Sequence, residues 1–300
     1  MSGLPAGDVE RLHAAARAIR DRTPAQAERL LGEVLARHPA HAEALRLLAI
    51  LQLHTQRAPE AVATLQEAIA RHPGDALLHA DLGNAHSARG ERDAAIAAWR
   101  RATGLDPTQP VPWFNLGRAL QLEGDSHAAV AALETACALA PGLLPATILL
   151  ADALAHLGRF DEATTRYRDA LRQHPASGDA WRGLSNIKTV ALADADAAAL
   201  ATQLQRRDIA DSDRVAMGHA LGKLEEDRGR FPQAFAAFAA ANALQQRLTP
   251  WRLPPLEAFV EQALAATAPH RLLLDHDPEV RQLAGALDLR MRGKDLFEQG

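Results

Sequence analysis

Thirteen histidines, one cysteine and a short run of carboxylates are the side chains of this 300-residue chain most suited to chemistry. Imidazole is a common metal ligand, and two at helical spacing can hold zinc. His38, His72 and His174, however, each stand directly before a proline, where a polar side chain at a helix end meets free carbonyls. His270 and His276 lie near Asp275 and Asp277, but no cysteine or further close histidine completes a ligand set. No metal site is expected. Cys137 has no partner for a disulfide and no neighbouring base to make it a nucleophile, which predicts a buried, inert thiol. Glu225, Glu226 and Asp227 read as a solvated charged face, since no apolar pocket is evident to split their acidities. Arg100-Arg101 and Arg206-Arg207 read as solvated helix faces. Gly90, Gly124, Gly158 and Gly229 form no phosphate-cradling run and suit turns between paired helices. No catalytic, cofactor-binding or metal-ligating residue is assigned, and no cofactor is expected.

The elements that must carry these residues are marked by proline. Pro39, Pro73, Pro107, Pro141 and Pro175 are separated by 34 residues each. A fixed period of this length means one helix-turn-helix unit copied along the chain, which buries its apolar face only by stacking on its neighbours. Other columns keep step. Ala27, Ala61, Ala95, Ala129 and Ala163 form a small column, and Leu31, Leu65, Trp99, Leu133 and Tyr167 a large one four residues later. Ala49, Gly83, Gly117 and Ala151 form a second small column on the first helix of each pair. Small residues let helix backbones approach, and a large side chain fills the space beside them. Each proline ends the second helix, because its ring and missing N–H forbid continuation.

These columns resemble the tetratricopeptide repeat, most closely in residues 110 to 143, with Trp113, Leu116, Gly117, Gly124, Ala129, Leu133, Ala136 and Pro141. The resemblance implies an all-α superhelix of helical hairpins, an α-solenoid. Its units are 8–41, 42–75, 76–109, 110–143 and 144–177. A sixth opens at Trp181, Leu184 and Ser185, but its second helix is not expected on schedule, and 178–214 reads as an atypical helical segment with an Ala-rich helix near 195 to 206. Leu221-Gly222, Gly229, Ala234, Phe238 and Ala241 place a further hairpin over 215–248, followed over 249–300 by a linker, a helix at about 255 to 268 and a tail. Ligand-facing positions of the first helices, carried over from the resemblance, fall on Ala80, Asp81, Asn84 and Ser87; on Phe114, Asn115, Arg118 and Gln121; on Ile148, Leu149 and Asp152; and on Arg182 and Asn186. Asparagine donates and accepts at once, so Asn84, Asn115 and Asn186 suit an extended peptide backbone. Ala80 stands where relatives that clamp a terminal carboxylate carry lysine, so that clamp is not expected.

Trp181 to about Gln246 also resembles the segment joining repeats to catalytic domain in bacterial tetratricopeptide-repeat sulfotransferases. It does so through Trp181-Arg-Gly-Leu-Ser-Asn-Ile-Lys-Thr189, Ala220-Leu-Gly-Lys-Leu-Glu-Glu-Asp-Arg-Gly229, Ala234-Phe235 and Ala241-Asn242. Those enzymes bind a phosphoadenosine phosphosulfate donor through a Pro-Arg-Ser-Gly-Thr-like loop, and Arg290 to Gln299 keeps neither its proline nor its hydroxyl residues. The expected function is a non-catalytic scaffold holding a protein or peptide segment in the groove. A truncated or divergent sulfotransferase and a self-associating module, using Phe259, Leu264 and Leu272 to Leu274, are the alternatives. A net charge of −4 gives no reason to bind nucleic acid or an anionic membrane. The uncharged stretch Thr135 to Ala151 is broken by Pro141, Gly142 and Pro145, so no membrane span is expected. A start without a basic, then apolar, leader predicts a cytoplasmic location.

Overall fold

The computed structural model describes residues 4–187 and 192–250, and its described elements are all helices. First helices alternate with second helices: α1 (Ala6–Arg20) and α2 (Pro24–Leu35), α3 (Ala42–His54) and α4 (Ala58–Arg71), α5 (Ala76–Ala88) and α6 (Arg92–Leu105), α7 (Pro110–Leu122) and α8 (Ser126–Leu139), α9 (Leu144–His156) and α10 (Phe160–Gln173). From α3 onward the first helices start 34 residues apart, and so do the second helices from α2. The starts have local causes. Asp75 accepts from the Leu77 and Leu78 amides, Asp125 from Ala128, Ser177 from Ala180, and the His41 ring from Ala44. Pro24, Pro59, Pro110 and Pro145 occupy the first turns of α2, α4, α7 and α9, where a preset φ helps and no N–H is missed.

The interlock of small and large columns is the core. Every member of the alanine column from Ala27 to Ala163 and of the large column from Leu31 to Tyr167 is at most 2% exposed. A Cβ added at Gly83 would lie 2.5 Å from the Trp99 ring, and one at Gly117 2.6 Å from Leu133. Neighbouring hairpins share these clusters: Trp99 of α6 packs with Leu116 of α7, and Leu133 of α8 with Leu150 of α9. Aromatic side chains also tie three of the first helices to their own entry turns, because the His79, Trp113 and Trp181 ring N–H groups donate to the carbonyls of Pro73, Pro107 and Pro175.

Turns within hairpins use the left-handed region, with φ of +76° at Gly90, +86° at Gly124 and +74° at Gly158. One and two periods upstream of Gly90 the same place is held by Gln56 at +60° and Arg22 at +56°. A side chain costs about 1–2 kcal/mol there, partly offset by the unfolded-state freedom that glycine adds. Exposed Gln56 replaced by glycine therefore gains about 0.5–1 kcal/mol, read as a raised urea midpoint with an unchanged slope; a lower midpoint would refute the strain.

After α10 the regularity changes. α11 (Gly178–Asn186) is short, and α12 (Asp194–Leu204) is the Ala-rich helix expected near 195 to 206; it begins one period after Phe160, on the second-helix schedule that was not expected to continue. Ala197 keeps the small column, but Ala201 stands where the large residue belongs. α12 thus lacks the large side chain that Trp99, Leu133 and Tyr167 supply on the earlier second helices. α11 instead packs chiefly against α13 (Asp211–Asp227), and α12 lies against α13. The Gly178 amide donates to Asp213 Oδ1 at 2.9 Å. α13 and α14 (Phe231–Leu248) repeat the interlock, since a Cβ at Gly222 would lie 2.6 Å from Phe238, and Gly229 turns the chain between them at φ +70°.

Two further sequence expectations are corrected here. The His38 ring meets the buried Asp8 carboxylate at 3.1 Å rather than helix-end carbonyls, and Arg11 and Arg37 share that carboxylate. Glu225 is not on a solvated face. It is 8% exposed and pairs with Arg228 and Arg230, each at 3.4 Å, in the turn between α13 and α14.

Candidate partner-binding hollow

The first helices bring part of the expected ligand-facing set together and occupy the rest internally. On α5, Asp81 takes a 3.2 Å ion pair from Arg46 of α3 and a hydrogen bond from Asn84. The Asn84 side-chain oxygen accepts from Trp99 at 3.2 Å and from Asn115 of α7 at 3.0 Å. A polar ladder thus runs from Arg46 to Asn115 across three hairpins. Burial raises Asp81 above the usual carboxylate range, with the Arg46 guanidinium opposing it. Asn84 thus spends most of its hydrogen-bonding capacity on Trp99, Asn115 and Asp81, whereas Asn115 gives one donor to Asn84.

Beyond Asn115 the surface opens into a hollow of about 670 Å³ lined by α7, α9, α11 and the segment before α13. Phe114 and Arg118 of α7, Ile148, Leu149 and Asp152 of α9, and Arg182 of α11 all line it. They converge because one face of each first helix repeats every 34 residues. Leu144 and Pro145 extend the apolar wall. Among the lining residues that were not anticipated, Arg206, Asp208, Ile209 and Ala210 come from the loop between α12 and α13. Arg206 stands in that loop, past the end of α12, and not on a helix face as expected. Their only sequence signal is the departure from the large column at Ala201, which displaces α12. Arg214 holds the loop by donating to the Leu204 and Arg206 carbonyls, both at 2.7 Å.

Most charges in the hollow are matched. Arg182 pairs with Asp179 at 2.8 Å, and Arg206 with Asp208 through two bonds of 3.0 and 2.6 Å. Asp213 accepts from the Gly178 amide, and Asp152 accepts from the Tyr167 hydroxyl. Burial pushes the Asp152 carboxyl up, and the Tyr167 bond and Arg182 charge pull it partly back. Arg118 is exposed and has no carboxylate partner among the described residues.

The remaining expected positions lie apart. Ser87 and Arg118 line a smaller hollow of about 180 Å³ beside Trp99. The Gln121 side-chain oxygen is buried with no hydrogen-bond partner among the described residues. Exposed Asn186 ends α11 outside the hollow, and Ala80 is half-buried on α5. Cys137 is half-buried beside Thr147, with its thiol pushed up by burial, which keeps it un-ionised. Among the described residues no cluster of histidine, cysteine and carboxylate groups suits a metal ion, and no helix is long and apolar enough to cross a membrane. Phe259, Leu264, Leu272 to Leu274, the helix near 255 to 268 and Arg290 to Gln299 lie outside the described residues.

Helical hairpins stacked at a constant period, with a side-chain-lined hollow across their first helices, define the class as a helical-repeat protein. Two tetratricopeptide-repeat family models match it, one over residues 18–80 and 120–187 and the other over 80–143. Together they run from 18 to 187, more than half of the chain, and the chain belongs to the tetratricopeptide-repeat family. Over 108 residues it is 35% identical to the cellulose synthase operon protein C of Pseudomonas fluorescens (strain SBW25), a match taking in 34% of this chain and 8% of that protein. The chain therefore spans a small part of that relative. YrrB, described as a TPR protein with an unusual peptide-binding site, is 17% identical with a TM-score of 0.50, covering 69% of this chain and 96% of its own. A thermophilic TPR protein of Thermus thermophilus is 23% identical with a TM-score of 0.49, covering 61% and 100%. At its identity YrrB speaks to the fold alone.

Proposed function

We propose that the chain is a non-catalytic interaction scaffold that holds an extended segment of a partner protein in the hollow between α7, α9 and α11. One observation carries the reading: the repeat geometry gathers Phe114, Ile148 and Leu149 with Arg118, Asp152 and Arg182 around one open hollow of about 670 Å³. Apolar walls with a few convergent polar groups suit a ligand side chain, and an extended chain presents one at every other residue. The family membership and the peptide-binding description of YrrB point the same way.

The test is selection of short random peptides by the immobilised protein. The native chain enriches a sequence family, and half-buried Ile148→Glu, which places a charge on the apolar wall, abolishes that enrichment while circular dichroism stays helical. Equal enrichment by both proteins, or none by the native chain, would remove the hollow as the binding site.

A further inference from the structure

Arg118 differs from the other arginines around the hollow. Arg182 and Arg206 are neutralised by Asp179 and Asp208, Asp213 caps Gly178, and Asp152 is held by Tyr167. Arg118 alone among the three lining arginines has no carboxylate partner in the described residues, and it stands where the large hollow meets the smaller one beside Trp99. Its guanidinium is fixed in charge and presents five donors in a planar fork, which a carboxylate matches with two parallel bonds. Next to it lies an apolar wall of Phe114, Ile148 and Leu149.

Resting on the groove reading above, we propose that the partner segment carries a large apolar side chain seated on Phe114, Ile148 and Leu149, with an aspartate or glutamate beside it paired to Arg118. Charge complementarity selects the acidic residue. A basic residue beside Arg118 would meet a cation that has no carboxylate partner among the described residues, whereas an acidic one supplies that partner. Such matching chiefly sets specificity and rate of encounter. The acidic side chain is a side chain of the segment's interior, so the segment need not end there.

The same peptide selection distinguishes the two levels. Peptides enriched by the native chain are expected to carry an acidic residue next to a bulky apolar one. With Arg118→Glu the acidic preference is expected to turn basic at that position, the apolar preference remaining. For one enriched peptide made synthetically, changing its acidic residue to the amide is expected to weaken binding roughly three- to tenfold to the native chain and not at all to Arg118→Gln. Enriched peptides without an acidic bias, or an amide analogue equally weakened on both proteins, would overturn the assignment to Arg118 and leave the groove standing. No enrichment at all would overturn both. Arg118 is exposed, so neither substitution threatens the fold, and an unchanged thermal midpoint confirms that.

Discussion

Trp99→Ala lowers stability by about 3–5 kcal/mol, the largest expected effect of a single change in the repeats. The ring is 1% exposed and fills the notch that Gly83 leaves on α5, so its removal opens a cavity between α5 and α6 and weakens the contact with Leu116 of the next hairpin. It also takes one donor from the Asn84 oxygen, which keeps Asn115. The notch and ring are one device, which a second change exposes. Gly83→Ala alone overpacks, because its Cβ would lie 2.5 Å from the ring, and costs about 1–3 kcal/mol. In the Trp99→Ala background the same methyl enters the vacated space, and its cost falls by at least about 1 kcal/mol. Urea unfolding of the four proteins checks both; additive losses would show that Gly83 and Trp99 are not coupled.

The second large effect is at Gly178→Ala. Its added Cβ would lie 2.7 Å from Asp213 Cα and 2.8 Å from the Asp213 carbonyl oxygen. Overlap with a flexible side chain is relieved by rotation, but here the neighbours are backbone, so α11 must move from α13 or the contact must break. We expect a loss of about 3 kcal/mol, at the upper end of overpacking. Gly142→Ala, at a place where nothing lies within 4 Å, is the control and changes little. A loss below about 0.5 kcal/mol at Gly178, the ordinary range for surface changes, would mean that α11 and α13 are not packed as described.

The columns of the sequence carried the helix order because each has a local cause. A proline ends a helix, a capping side chain starts one, and an alanine opposite a leucine admits close approach. Where a column lost its marker, legibility failed. Gln56 and Arg22 hold the left-handed turn without glycine, so residue type alone starts the column of Gly90, Gly124 and Gly158 two repeats too late. The displacement of α12 hangs on one small residue, Ala201, and on what α13 offers α11, which no periodicity expresses. At the hollow, the lining residues of α7, α9 and α11 followed from register, whereas the contribution of the loop after α12 did not. The ladder was hidden for a different reason: Arg46 to Asp81 and Asn84 to Asn115 join residues 35 and 31 positions apart, and partnership there depends on rotamer and not on spacing.

The ladder also sets where the stack is stiff. Arg46, Asp81, Asn84 and Asn115 lock α3, α5 and α7 laterally with directional bonds, so sliding one of these helices past another breaks polar contacts. Between α7 and α9 no side-chain hydrogen bond is present among the described residues, and the junction consists of apolar contacts such as Phe114 within the cluster of Leu150 and Leu154. Apolar surfaces resist separation but have little preference for one offset over another. The joint between α7 and α9, which forms one wall of the hollow, therefore lacks the directional bonds that tie α7 to α5, so an arriving guest meets a braced edge at α7 and a more yielding one beyond it.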